Sequence, residues 1–266
     1  MRRRLDTELV RRGLATSRQR ALEAIEGGRV LVGGLPAQSA SRQIAPDEPV
    51  TMSGDGPRFV SRGGEKLVAA LAEFEIDPTG RRALDAGAST GGFTDCLLQA
   101  GATQVVAADV GRGQLAWSLR TDPRVTVLER TNVRHLEADA IGGPVDICTA
   151  DLSFISLSVC APALARCTTA GADFVLLVKP QFEAGRRDVG KGGVVRDAAV
   201  HRAVLRRVGD GLAAVGIHAV AAMPSPLRGA DGNVEFFFHA RKDAARVLGD
   251  DALDAVVDAA HAGALP

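Results

Sequence analysis

Lysine is scarce in this 266-residue chain. Of 32 basic residues only four are lysine (Lys66, Lys179, Lys191 and Lys242), and the other 28 are arginine. A general preference for arginine explains the imbalance. It also makes each remaining lysine a candidate for chemistry that needs a proton to leave, because guanidinium keeps its own. Net charge is missing too, since 32 acids balance the bases. The molecule is not a polycation, so affinity for nucleic acid has to come from a local patch. No apolar run approaches the roughly eighteen residues of a membrane span, and no apolar stretch follows the first arginines, so neither a membrane helix nor a signal peptide is expected. Cysteine pairs are lacking. Cys96, Cys148, Cys160 and Cys167 form no C-x-x-C and have no histidine at metal-ligand spacing. They are expected to be buried reduced thiols in a cytoplasmic protein, with no metal site. Repeats and low-complexity tracts are also absent.

What is present is a 46% apolar chain long enough for one catalytic domain and a small accessory one. From Met1 to Arg42 nine arginines face four acids, a net +5, and the rest carries −5. That asymmetry fits a basic module on an acidic body; charge alone would equally fit a solubilising surface. Within residues 1–50, Leu5, Leu9 and Val10 are expected on one helical face, with Gly13 ending the helix. Ser17 caps a second helix that turns Ala21, Leu22 and Ile25 inward and stops at Gly27-Gly28. Val30 and Val32 alternate as a strand before the Gly33-Gly34 turn. Residues 51–60, with Gly54, Gly56 and Pro57, are expected to be a linker, and 61–266 the second domain. There a helix near 64–74 precedes apolar runs at 83–88, 105–110, 125–128, 145–150, 174–178, 217–223 and 234–238. Helix-length segments separate most of them. The alternation predicts an α/β domain of Rossmann-like type, a mostly parallel sheet with helices on both faces.

One motif stands out, Leu84-Asp85-Ala86-Gly87-Ala88-Ser89-Thr90-Gly91-Gly92-Phe93-Thr94. A strand runs into a glycine-rich turn and then a helix, where backbone can approach a ligand closely. Asp109 ends the next strand, placed to accept hydrogen bonds from ribose hydroxyls, with Val110 beside it. The loop lacks the G-x-G-x-x-G of a dinucleotide cradle, and Asp85 suits a cationic amino-acid ligand better than a diphosphate. S-adenosylmethionine is therefore the expected cofactor, held by Asp85, Gly87, Ser89, Thr90, Gly91, Gly92, Phe93, Asp109 and Val110. Asn132 is either a contact to the adenine edge or a surface-loop residue.

The N-terminal segments Arg4-Leu5-Asp6…Leu9, Gly13-Leu14…Ser17-Arg18 and Ile25…Gly28…Val30…Val32…Gly34 resemble the ribosomal-protein-S4-like RNA-binding domain. The resemblance implies a small α+β module that docks on folded RNA through shape and phosphate contacts. Arg4, Arg18, Arg20 and Arg62 are the expected RNA contacts. Lys191, in Gly190-Lys191-Gly192-Gly193, either touches phosphate or sits in a solvated loop.

Further segments, Ser61-Arg62-Gly63-Gly64-Glu65-Lys66-Leu67, Asp109-Val110-Gly111, Ala150-Asp151-Leu152-Ser153-Phe154-Ile155-Ser156, Leu177-Val178-Lys179-Pro180-Gln181-Phe182-Glu183 and Gly232-Asn233-Val234-Glu235, resemble the TlyA family. Its members are ribosomal RNA 2′-O-methyltransferases, historically labelled haemolysins, with an FtsJ-like catalytic domain. The resemblance implies that Lys66, Asp151, Lys179 and Glu235 form a Lys-Asp-Lys-Glu catalytic tetrad. A ribose 2′-hydroxyl is a poor nucleophile until its proton is removed or shared. Lys179 follows an apolar run, where desolvation favours the neutral amine that could accept that proton. The resemblance further implies cytidine 2′-O-methylation in 30S and 50S subunits, at helix 44 of the small-subunit RNA and helix 69 of the large. Some members modify only the large subunit and are shorter at both ends. The arginines at the start and a helical tail near 243–260 are expected of the dual-target kind, and a monomer is the expected state. Three competing readings stay open on the residues: a membrane-active haemolysin, a pseudouridine synthase with a similar N-terminal module, and a non-catalytic RNA-binding protein.

Overall fold

The computed structural model describes residues 2–15, 17–54, 57–185, 187–229, 232–244 and 247–263. Two compact units divide the chain, Met1–Pro57 and Arg58–Pro266.

The first unit runs β1 (Arg3–Arg4), α1 (Leu5–Arg11), α2 (Arg18–Glu26), β2 (Val30–Val32), β3 (Leu35–Pro36), β4 (Gln43–Ile44) and β5 (Val50–Met52). The Ser17 hydroxyl accepts the Arg20 N–H at 3.2 Å and so caps α2. Leu5, Leu9, Ala21, Ala24, Ile25, Val30, Val32, Ile44 and Val50 close one small core. Val10 lies outside it. One residue beyond Leu9 is a turn of about 100° on a helix, and Val10 is 37% exposed. The linker expected at 51–60 begins later than its composition implies. Thr51 and Met52 pair with Leu31 and Val30 in the β2–β5 ladder, and Ser53 donates its N–H to the Arg29 carbonyl at 2.7 Å. The ladder satisfies backbone groups that glycine content alone would assign to a loop.

The second unit continues with α3 (Gly63–Glu73), β6 (Arg82–Ala86), α4 (Gly92–Gln99), β7 (Gln104–Ala108), α5 (Trp117–Arg120), β8 (Val125–Leu128), β9 (Val145–Ala150), α6 (Leu157–Arg166), β10 (Thr168–Val178), α7 (Pro180–Glu183), α8 (Ala198–Ala213), β11 (His218–Pro224), β12 (Phe236–Arg241) and α9 (Asp250–His261). Seven strands form one sheet in the order β11-β12-β10-β9-β6-β7-β8, with all pairs parallel except the two made by β12. Both faces are covered, which is why the strands read as largely apolar runs. Leu84, Ala86, Leu176 and Val178 face the core shared with α6, α8 and α9; Ala83, Val175 and Leu177 face the core shared with α3 and α4. Among the described residues no helix is long and apolar enough to cross a membrane.

The sheet order reverses between β6 and β9, and crevices at such switch points, outside the carboxyl ends of strands, are where α/β sheets collect ligands. Strand register fixes what stands there. Ala86 pairs with both Ala108 and Ala150, and Val178 pairs with Phe236. The next residues outward are Gly87, Asp109, Asp151 and Lys179, and on the reversed strand the preceding ones, Val234 and Glu235.

Candidate active site

Two lysine–carboxylate pairs stand at this edge. Lys179 forms an ion pair with Asp151, and its amine also donates to the Ser153 hydroxyl at 3.2 Å. Lys66, reaching in from α3, donates to Glu235 at 2.5 Å. Both side chains of that pair are largely closed to solvent, Lys66 at 11% exposed and Glu235 at 2%. The four residues the tetrad requires thus come from α3 and the ends of three adjacent strands. Such strands lie about 4.8 Å apart. Glu235 also depends on a residue that sequence reasoning passed over: a Cβ on Gly229 would fall 2.1 Å from its carboxylate. Asn233, 2% exposed, accepts the Val195 N–H at 3.0 Å and donates to the Gly193 carbonyl at 3.1 Å. It ties the glycine loop that carries Lys191 to the segment leading into Glu235.

A cavity of about 500 Å³ adjoins the Asp151 pair. Gly87, Ser89, Asp109, Val110, Asn132 and Asp151 line it, together with Leu152, Ser153, Phe154 and Ile155. Asp109 is fixed from two sides, one oxygen accepting the Ser89 N–H at 2.8 Å and the other the Gly111 N–H at 2.6 Å. Each oxygen keeps a lone pair for a further donor. Asn132 caps a short 3₁₀ turn, its side-chain oxygen taking the Arg134 N–H at 3.1 Å.

Asp85, Thr90, Gly91, Gly92 and Phe93 are not part of the cavity lining. Asp85 is fully buried and accepts the Thr94 and Thr149 hydroxyls at 2.7 and 3.4 Å. Burial pushes its carboxyl up to about 7. It joins the strand end to α4 and to β9 through those two hydroxyls. Gly91 has φ +97°, and a Cβ there would meet Leu119 at 2.3 Å and Leu115 at 2.8 Å. The glycine makes room for Leu115 and for Leu119 of α5. Gly92 and Phe93 are buried, with Phe93 stacked on Phe237 at 6.1 Å, and Thr90 is exposed, its carbonyl accepting the Ala116 N–H at 3.2 Å.

Phe154 carries no signal of its own in the sequence beyond its place in a family motif. It is 90% exposed on the cavity rim and 4.9 Å from the Phe182 ring. Its φ of +64° is rare for a bulky residue. Strain of this kind costs about 1–3 kcal/mol and clusters at functional sites. Glu183 holds the same loop, accepting the Leu157 N–H at 2.7 Å, and burial raises its carboxyl above the ordinary range. The remaining lysine, Lys242, closes the end of α6 by donating to the Ala165 and Thr168 carbonyls at 2.5 and 2.7 Å. All four cysteines are free and buried. Burial pushes the Cys96 thiol up to about 12, which makes it inert.

In the first unit, Asp6 is fully buried and accepts from both Arg4 and Arg18, each at 3.0 Å. Hydrogen bonding from Arg4 holds its carboxyl well below the usual range despite burial, with Arg18 adding to the effect. The two arginine side chains stay 45% and 62% exposed. Arg20 is paired with Glu23 at 3.0 Å, and Arg62 is exposed at the start of α3.

Residues 59–242 match the FtsJ-like methyltransferase family, and residues 3–50 match the S4 domain. The chain is 53% identical to the 16S/23S rRNA (cytidine-2′-O)-methyltransferase TlyA of Mycobacterium tuberculosis, over 97% of this chain and 96% of that protein. It is 32% identical to the 23S rRNA (cytidine-2′-O)-methyltransferase TlyA of Campylobacter jejuni, over 86% and 96% of the two. A solved structure of a candidate hemolysin from Streptococcus thermophilus superposes with a TM-score of 0.78 at 38% identity, covering 98% of this chain and 96% of that one. The chain belongs to the TlyA family of FtsJ-like methyltransferases.

Proposed function

We propose that this enzyme transfers a methyl group from S-adenosylmethionine to the 2′-hydroxyl of cytidine in ribosomal RNA, acting on both subunits in the cytoplasm as a monomer. The observation that carries the reading is the Lys179–Asp151 pair at the lip of a cavity whose other wall holds Asp109. About 500 Å³ is the size of a small-molecule site, typically about 300–1,000 Å³. Its apolar wall of Val110, Val133, Leu152 and Ile155 suits a purine, and the Asp109 carboxylate suits ribose hydroxyls. The bound cofactor supplies an electrophilic methyl group. Lys179 takes or shares the 2′-hydroxyl proton, and Asp151 holds the amine in place. Lys66 and Glu235 frame the ribose, and Phe154 offers a face on which an unstacked base can rest. Arg4, Arg18, Arg20 and Arg62 supply phosphate contacts. Helix 44 and helix 69 are the targets proposed for the two subunits. Support for a dual target is the 53% identity to a 16S/23S enzyme against 32% to a 23S enzyme.

The test is labelled-methyl transfer to isolated 30S and 50S subunits and to naked rRNA, with calorimetry of S-adenosylmethionine and NAD alongside. Transfer to both subunits and no NAD binding are expected; comparable affinity for NAD would overturn the cofactor assignment. In single-turnover reactions Lys179→Arg and Lys179→Ala should both lose about 10²-fold or more, the range of general acid–base groups. Near-normal transfer by Lys179→Arg would leave the tetrad a positioning device, because guanidinium stays protonated.

A further inference from the structure

A lysine amine has a tetrahedral nitrogen, with one direction taken by its own carbon and three left. Around Lys179, the Ser153 hydroxyl, 3.2 Å away, accepts one N–H, and the Asp151 carboxylate forms an ion pair on another side. Only one direction remains. With one N–H held on Ser153 and the charge of Asp151 favouring a second N–H on its own side, the lone pair of the neutral amine turns to the third. Asp151 alone would leave the nitrogen free to rotate about its terminal carbon–nitrogen bond and spread the lone pair over several headings. Ser153 itself lines the cavity beside Asp151, and it stands next to Phe154, whose left-handed backbone (φ +64°) fixes the turn. Glu183 anchors the far end of the same loop through the Leu157 N–H.

We propose that Ser153 is a positioning residue that aims the Lys179 lone pair at the ribose 2′-hydroxyl. The inference rests on the reading of Lys179 as the proton acceptor. In the step it serves, the 2′-oxygen forms a bond to the methyl carbon as the sulfur–methyl bond breaks. The sulfur keeps that bond's electron pair, and the hydroxyl proton passes to Lys179. Ser153 exchanges no atom; it holds the acceptor in line, and misaimed reacting groups cost rate steeply.

The experiment is single-turnover methyl transfer to ribosomal subunits with the full-length chain in excess, comparing wild type, Ser153→Ala, Ser153→Thr, Lys179→Ala and the Ser153→Ala/Lys179→Ala double variant. Ser153→Ala should lower the saturated rate about tenfold while half-saturating concentrations of subunit and S-adenosylmethionine stay unchanged. Ser153→Thr, which keeps the hydroxyl, should recover most of the rate. In the Lys179→Ala background the serine substitution should cost nothing further, since the group it aims is gone. A wild-type saturated rate for Ser153→Ala, or an undiminished additional loss in the double variant, overturns the proposal. If Lys179→Ala is itself near normal, the underlying reading of Lys179 fails and the proposal falls with it. A dead Lys179→Ala beside a normal Ser153→Ala overturns the serine role alone.

Discussion

Asp85 sits at the head of the glycine loop, yet its carboxyl group faces two hydroxyls inside the protein. Its burial favours the protonated form, pushing it up to about 7. The sign of the consequence follows from proton counting. Between the ordinary carboxylate range near pH 4 and about pH 7, the folded chain holds a proton that the unfolded chain has released. Stability therefore falls as pH rises through that window. Asp85→Asn removes the titration while keeping an acceptor for Thr94. The difference in thermal midpoint between pH 5 and pH 8 should be smaller in the variant than in wild type, the wild type losing more at pH 8; equal changes would mean that Asp85 does not carry the proton. The residue type was legible in the sequence, but its surroundings were not. Thr149 lies 64 positions away, and nothing in the motif says that it closes over the carboxyl. Lys66 and Lys179 were legible for the opposite reason, standing out in a chain that uses arginine almost everywhere. Ser153 had no such contrast.

At the scale of elements, largely apolar runs marked every strand of the large sheet, because a sheet covered on both faces needs apolar residues in both directions. Their edges were less legible. Val110 closes an apolar run, but β7 ends at Ala108 and Val110 lies 68% exposed on the cavity wall. β10 starts at Thr168, ahead of its apolar stretch, through an irregular register between Thr168 and Asp173. The two-residue strands β1 and β4 are too short to show alternation. Helices α8 and α9 meet at a point no periodicity shows. His201 is fully buried against Phe236, shares a 2.9 Å hydrogen bond through Nδ1 with His261 of α9, and has no partner at Nε2 among the described residues. Burial, and then His261, push His201 down to about 4. The unfolded chain takes up this proton below about pH 6.5 and the folded chain resists until about 4, so stability present above 6.5 is lost as pH falls through that interval. Amide exchange in α9, corrected for its intrinsic pH dependence, should therefore report a lower opening free energy at pH 5 than at pH 7. His201→Asn should flatten the difference, and an unchanged difference would assign the effect elsewhere.

For the whole molecule, the boundary between the two compact units falls at Pro57 and Arg58, and the excess of arginine read from the composition lies in the first 42 residues. What composition could not tell is how the arginines are held. Arg4 and Arg18 converge on one buried carboxylate, and a single negative charge between two guanidinium groups leaves a local excess of +1 with outward-facing donors. Two exposed arginines held apart by self-repulsion would each have to be ordered on binding; Asp6 orders them beforehand, which lowers the entropy cost of meeting a phosphate. Counterion release then makes the affinity for ribosomal subunits fall with salt, with a slope of about 0.9 per phosphate neutralised at duplex charge density. Replacing Arg4 and Arg18 together by alanine should weaken subunit binding and reduce that slope by roughly one for each phosphate left without its arginine. Affinity for S-adenosylmethionine should not change, because the proposed cofactor residues lie wholly in the second unit. Asp6→Asn should weaken binding by a different route: the arginines keep their charge and lose their alignment, so affinity drops while the salt slope stays close to wild type. Filter binding of the double arginine variant and of Asp6→Asn across a salt series separates the two effects. An unchanged slope in the double variant would mean that this unit does not dock the enzyme on its RNA.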